Sequence, residues 1–292
     1  MLQEPRARGW TAAPSNPHDI ALMRVDLHLH STASDGSLSP SALVWAARAG
    51  GLHVIALTDH DTTAGIQEAC RAGTGSVHVI GGIELSCTYR CSEVHVLGYF
   101  VDPSNALLAE HERSASVRRR ERMHAMIDRL AALGPRVSMD DVQVAAGPDA
   151  QTIARPHLAR VLVQKGHATS VSDAFERWIG NAAPAYVSVD LIDPERAIER
   201  IHTAGGVAIW AHPDITLLRS SLDSFVEWGL DGIECYRPRC SPSESLELEA
   251  AAQSRGLFTT GGSDWHGIWN GRLGVFSLGR DEVGEFLEHG GI

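Results

Sequence analysis

Short apolar runs recur along this chain, and each carries or is closely followed by a histidine or carboxylate. That recurrence constrains the fold more than any other feature. Residues 23–30 hold His28 and His30, 54–61 hold His60, 77–83 lead into Glu84, and 94–97 contain His95. Later, 206–213 hold His212, and 257–260 precede Asp264 and His266. Runs of this length rich in Val, Ile and Leu read as buried strands. Side chains two apart on a strand share a face, so His28 and His30 can serve one ion. Helical patterns fill the gaps at 40–49, 63–72, 194–204, 220–228 and 243–255. Alternating strand and helix, with polar groups at strand ends, predicts an α/β fold: a parallel barrel whose site lies at the carboxyl ends of its strands.

With Asp35 the polar set has nine members: His28, His30, Asp35, His60, Glu84, His95, His212, Asp264 and His266. Imidazole and carboxylate suit divalent Zn, Mn or Fe. Nine donors exceed what one tetrahedral ion takes, so two or three ions are expected. Ions about 3.5 to 4 Å apart can share a bridging water, lower its pKa and steady the attacking and leaving oxygens of an in-line displacement at phosphorus. No side-chain nucleophile is then required, and the sequence offers neither a Gly-x-Ser-x-Gly elbow nor a P-loop. Cys87 and Cys91 lack a second thiol pair and read as ordinary thiols.

His28-x-His30, Thr58-Asp59-His60-Asp61, Gly82-Ile83-Glu84, Ala211-His212-Pro213 and Ser263-Asp264-x-His266 resemble, in order, the motifs of the PHP (polymerase and histidinol phosphatase) superfamily. His95-Val96-Leu97-Gly98-Tyr99 and Ala154-Arg155-Pro156-His157-Leu158-Ala159 are similar to the branch that dephosphorylates 3′,5′-bisphosphonucleotides and trims short RNA from its 5′ end. The resemblance implies a distorted seven-stranded, TIM-like barrel holding three metals. One ion would sit on His28, His30, Glu84 and Asp264; Glu84 would bridge to a second on His95 and His212; Asp35, His60 and His266 would take the third. Asp35, Glu84 and Asp264 are the carboxylates expected to be catalytic. Some relatives have a histidine where this chain has Asp35, and a carboxylate there favours harder ions, Mn2+ before Zn2+, with Fe2+ also possible.

The length of 292 residues, 43% of them hydrophobic, allows one barrel with an insertion. The strand rhythm stops over 101–187, where helices are predicted at 107–133, 139–146, 156–165 and 171–178. This segment reads as a helical insertion over the barrel mouth, with the barrel formed by 23–100 and 188–292 and an unstructured extension over 1–22. A net charge of −11 argues against a broad grip on long duplex nucleic acid. Five cysteines without framework spacing suggest reduced thiols in the cytoplasm, and no apolar run is long enough to span a membrane.

Substrate residues are expected in the insertion. Arg155 and His157 flank Pro156 at a helix start, where free N–H groups favour an anion, and an arginine suits bidentate phosphate binding. Pairing with an acidic neighbour is the alternative for Arg155. Arg118 and Arg122 share a helix face and offer a second phosphate contact or a solvated surface. Trp210 and Trp265 flank candidate ligands and could stack on a base or simply pack. Asp59 and Asp61 could orient the His60 imidazole, and Asp61 could equally cap the following helix. The expected activity is hydrolysis of the 3′-phosphate of a small bisphosphonucleotide such as adenosine 3′,5′-bisphosphate (pAp), with 5′ to 3′ trimming of short RNA by the same chemistry. Histidinol phosphate or a sugar phosphate is the alternative substrate. A non-catalytic PHP module, or a C–N hydrolase with a bridging carboxylated lysine, is the alternative of another kind; the full donor set opposes the first and the absence of Lys at these strand ends opposes the second.

Overall fold

Seven strands form one sheet whose spatial order is their order in the chain. They are β1 (Val25–Leu29), β2 (Val54–Leu57), β3 (His78–Tyr89), β4 (Ser92–Tyr99), β5 (Val207–Ala211), β6 (Gly232–Tyr236) and β7 (Phe258–Gly261). The computed structural model describes residues 23–189 and 191–292, so the extension expected over 1–22 lies outside the described residues. A sheet in which each strand lies beside its predecessor curls on itself. Here β1 comes round to the segment after β7, where the His30 N–H donates to the Trp265 carbonyl at 3.0 Å and the Trp265 N–H to the His28 carbonyl at 3.4 Å. The result is a nearly closed α/β barrel.

Helices α1 (Pro40–Ala49) and α2 (Ile66–Gly73) follow β1 and β2. The insertion follows β4, and helices α7 (Pro194–Thr203), α8 (Ile215–Glu227), α9 (Pro242–Gln253) and α10 (Arg280–His289) belong to the second half. Starts follow from local chemistry. Ser39 caps α1 with Pro40 in its first turn, and Asp193 caps α7 ahead of Pro194. Asp214 caps α8, which therefore begins at Ile215, well before the expected 220. Strand β6 and helix α10 are additional to the strands and helices that the hydrophobic pattern predicts.

One expectation fails. Strand β4 runs antiparallel to both β3 and β5. A two-residue turn at Arg90 and Cys91, both at positive φ, joins β3 to β4, and so short a link permits only a hairpin. His95 therefore does not end a strand; it lies in the first half of β4, the half that starts at the mouth. Glu84 likewise lies inside the long β3 rather than beyond it.

The interior cluster joins Leu27, Ala56, Ile80, Leu97, Tyr99 and Ile209, closed by Phe286 of α10. A second cluster sits under α7 to α9, where Trp210 stacks on Phe225 with ring centroids 3.8 Å apart. The segment between β4 and α7 contains α3 (Ala106–Leu133), α4 (Met139–Ala146), α5 (Arg155–Gln164) and α6 (Val171–Ala174), the last continued by a π-turn at Phe175–Ile179. It builds its own apolar cluster from Met126, Leu130, Val142, Leu158, Leu162 and Ile179. Helix α3 serves both bodies, since Leu108 near its start belongs to the barrel cluster.

Candidate metal centre

All nine polar residues singled out in the sequence converge at one end of the barrel. Glu84 is at their centre. Its Oε1 lies 2.7 Å from His95 Nδ1 and 3.0 Å from His212 Nε2. Its Oε2 lies 3.0 Å from His60 Nδ1 and 3.2 Å from Nε2 of both His28 and His30. Each oxygen of one carboxylate thus faces a separate set of imidazoles. Asp264 Oδ1 is 3.4 Å from His28 Nε2 and 3.2 Å from His30 Nε2. Asp35 Oδ1 is 3.3 Å from His266 Nε2, and its Oδ2 is 4.0 Å from His60 Nε2.

Three groups have donor atoms close enough to share an ion: His28, His30, Glu84 and Asp264; His30, Asp35, His60 and His266; and His60, Glu84 and His95. The first is the set implied by the resemblance. The others differ from it in that His30 and His60 each stand between two groups, and His212 reaches the third through Glu84 and through His95, 3.2 Å away.

The chemistry of these donors fits divalent cations. Among the described residues, His28 Nε2, both ring nitrogens of His30, His60 Nδ1 and Glu84 Oε2 are buried without a hydrogen-bond partner, a costly arrangement unless something else engages them. Burial works against the charge on Glu84 and Asp35, yet the surrounding imidazoles hold both well below the usual carboxylate range. Burial also opposes charge on His95 and His266, but Glu84 and Glu93 beside the one, and Asp35 and Asp264 beside the other, raise each to about 10. The site calls for positive charge, which a divalent cation supplies.

Local backbone fixes the donors. His212 and Asp264 have φ of 29° and 50°, and Asp61 beside His60 has 50°, a left-handed region that non-glycine residues rarely occupy. The strained turn at His212 is held by Glu234 of β6, which accepts its N–H at 2.6 Å. The other oxygen of Glu234 accepts from His28 Nδ1 at 2.8 Å, which leaves His28 Nε2 free to face Glu84. Glu234 was missed in the sequence. A lone acid inside an apolar run was the available signal.

Two further acids behave differently from expectation. Asp59 accepts from the Ser31 N–H and from the hydroxyls of Ser31 and Ser34, all within 2.7 Å, and so shapes the turn that carries Asp35. Asp61 neither orients His60 nor caps α2, whose start at Gly65 has no side-chain cap. It receives His111 Nε2 at 2.7 Å, Arg119 Nε at 2.8 Å and the Ser86 N–H at 2.9 Å, tying α3 to the barrel. Burial would raise the Asp61 pKa; Arg119 and His111 hold it below the carboxylate range.

In the insertion, Arg155 donates to Asn181 Oδ1 at 2.7 Å and to Glu93 Oε2 at 3.3 Å. Arg122 reaches the same Glu93 oxygen at 3.4 Å and donates to the Val187 carbonyl at 2.8 Å. Both guanidiniums lie over the Tyr186 ring. The other Glu93 oxygen is 3.5 Å from His95 Nε2. The acidic neighbour anticipated for Arg155 therefore exists, and it joins the arginine pair to the cluster. Arg118 lines a cleft of about 390 Å³ with Arg122, Ser188 and Val189.

His157 is fully buried, and its Nδ1 accepts the Ala154 N–H at the start of α5. Burial, and not the cap, leaves the ring no open surface, and its Nε2 has no hydrogen-bond partner among the described residues. Trp210 and Trp265 are both buried, the first against Phe225 and the second with its indole N–H on the Gly271 carbonyl, so packing and not base stacking explains them. The five thiols are all free, and among the described residues no helix is long and apolar enough to cross a membrane.

Comparison with known proteins agrees with this geometry. A family model described as the PHP domain matches residues 26–136. The chain is 34% identical to the 5′-3′ exoribonuclease Rnm of Escherichia coli, over 82% of this chain and 84% of that one. It is 32% identical to the 3′,5′-nucleoside bisphosphate phosphatase of Chromobacterium violaceum, over 84% and 88%. A solved structure from Bifidobacterium adolescentis, described as a metal-dependent phosphoesterase, superposes with a TM-score of 0.83 at 33% identity, covering 91% of this chain and 96% of the other.

Proposed function

The chain belongs to the PHP family of metal-dependent phosphoesterases, and from that premise we propose that it removes the 3′-phosphate of 3′,5′-bisphosphonucleotides such as pAp. By the same reaction it would shorten 5′-phosphorylated RNA from its 5′ end, since each internal linkage is also a 3′-phosphoryl ester beside a 5′-phosphate. One observation carries the substrate reading: Arg122 and Arg155 converge on Glu93, which itself touches His95. The cluster alone recognises a phosphoryl group. An arginine pair at its edge selects a molecule with a second one.

In this reading His28, His30, Glu84 and Asp264 would hold one ion, Glu84, His95 and His212 another, and Asp35, His60 and His266 a third. Mn2+ is the ion of choice, since Asp35 adds a hard oxygen to that set. Bound divalent ions would lower the pKa of a water and neutralise charge on the phosphoryl oxygens. Glu234 keeps the His28 ring turned so that Nε2 faces the substrate side. Asp264, with 42% of its side chain exposed while Glu84 and Asp35 are buried, is the carboxylate of the set that would face a bound phosphoryl group and its attacking water. Arg155 and Arg122 grip the 5′-phosphate, and Arg118 in the adjoining cleft adds charge to its approach. The partners are small nucleotides and short RNA, with no long duplex, and the free thiols agree with a cytoplasmic location.

The test is phosphate release by Mn-loaded protein from pAp, 3′-AMP, 5′-AMP and histidinol phosphate. Strong preference for pAp with 5′-AMP as product is expected. Equal, feeble release from all four would overturn the substrate assignment.

A further inference from the structure

An aromatic side chain that meets solvent on the His266 side of the cluster is neither of the two tryptophans flanking candidate ligands in the sequence. It is Trp269, in the 3-10 turn Ile268–Asn270 that follows His266. Trp269 is 41% exposed and its neighbour Ile268 82% exposed. The turn is tied to the site: Asn270 Oδ1 accepts the His266 N–H at 3.2 Å. The benzo edge of the Trp269 indole lies against Gly267, where an added Cβ would stand 2.5 Å from the ring carbons, so only glycine lets the ring settle there. Arg160 of α5 lies over the ring at 5.6 Å and also donates to the Asp35 carbonyl at 2.9 Å. An indole steadied on one face by a guanidinium, beside two candidate metal-holding residues, is a platform of the kind that holds a nucleobase.

Position decides which base. Arg155 stands on the His95 side of the cluster, and Trp269 on the His266 side. The His60 ring lies between, 5.0 Å from that of His95 and 5.8 Å from that of His266. Hydrolysis at the 3′-phosphoryl breaks the bond between phosphorus and O3′ of the first nucleotide. Water supplies the new oxygen on phosphorus, and the departing O3′ takes a proton. The first nucleotide, held by its 5′-phosphate at Arg155, occupies the His95 side. The second nucleotide remains attached to phosphorus through its O5′ and extends to the other side.

We propose that Trp269, backed by Arg160 and flanked by Ile268, stacks the base of the second nucleotide and so equips this chain to take RNA as well as pAp. The proposal rests on the bisphosphonucleotide reading above. A substrate with no second nucleotide gains nothing from the platform, and an RNA end does.

The experiment measures kcat/KM for pAp and for a 5′-phosphorylated trinucleotide in wild-type, Trp269→Ala and Trp269→Phe proteins, all Mn-loaded. In Trp269→Ala the ratio of trinucleotide to pAp kcat/KM should fall about tenfold, through KM, as expected for loss of one base–aromatic stack. Trp269→Phe, which keeps a ring, should recover most of it. An unchanged ratio in Trp269→Ala overturns the platform, as does wild-type protein that hydrolyses pAp and leaves the trinucleotide intact. Wild-type protein inactive on both overturns the underlying substrate reading instead.

Discussion

The cluster at the barrel mouth and the arginine set of the insertion treat buried charge in opposite ways. At the mouth, three carboxylates and six imidazoles are pressed together with several ring nitrogens unbonded, an arrangement completed by cations from outside. In the insertion the guanidiniums of Arg122 and Arg155 already have partners: Glu93, Asn181, the Val187 carbonyl and the faces of Tyr186 and Phe175. The first set is incomplete by construction and rigidly placed by strands and strained turns. The second is satisfied in itself, so a phosphate must compete with Glu93 for it. Turnover should therefore depend on the barrel absolutely, and substrate choice on the insertion by degrees.

Glu84→Gln would test that contrast most severely, because it removes the charge both imidazole sets share. Turnover on pAp should fall at least about 10³-fold, roughly 4 kcal/mol of transition-state stabilisation, with fewer metal ions retained after dialysis. Retention of full metal content and rate would mean the ions do not need this carboxylate. Glu234→Gln should act more mildly, lowering metal affinity or activity about 10- to 100-fold; activity should return at high Mn2+ if the role is to orient His28. Arg155→Ala should leave turnover on 3′-AMP nearly as it was and cut the preference for pAp over 3′-AMP about tenfold. An intact preference would move the 5′-phosphate elsewhere.

The smallest effect concerns stability and pH. Burial lowers the His157 pKa to about 4 from 6.5. The folded protein then binds fewer protons than the unfolded chain between those values, so this stabilising contribution is whole above pH 6.5 and declines as pH falls toward 4. His157→Gln should flatten that part of a pH series of melting temperatures relative to wild type. Parallel curves would show that the ring titrates normally in the fold.

The sequence announced the cluster well because nearly every donor lies in or just after a short apolar run, a pattern that survives without knowledge of the packing. Helix starts were legible for the same reason, with Ser39-Pro40 and Asp193-Pro194 as local signals. The reversal of β4 was not, although the link at Arg90 and Cys91 was short enough to suggest it. Periodicity reports that a strand exists and says nothing of its direction. Glu234, Glu93 and Arg160 escaped because their meaning lies in partners 206, 62 and 125 residues away. For Trp210 and Trp265 the sequence left stacking and packing open, because adjacency to a ligand along the chain does not say which way a ring points; burial decides for packing.

Helix α3 has 28 residues, about 42 Å at 1.5 Å per residue, and because β4 runs downward it starts at the foot of the barrel and climbs back to the mouth. On the way it bonds at Leu107 to Arg200, at Glu112 to Thr63, at Arg119 to Asp61 and at Arg122 to Glu93. These contacts act like teeth on a gear. Deleting one residue between Glu112 and Arg119 would turn everything above it by about 100° and carry both arginines off their carboxylates. A change of length in the turn at Gly134 would leave the phase untouched. The insertion can drift in its outer loops, while its supporting helix can lengthen or shorten only in steps near a whole turn.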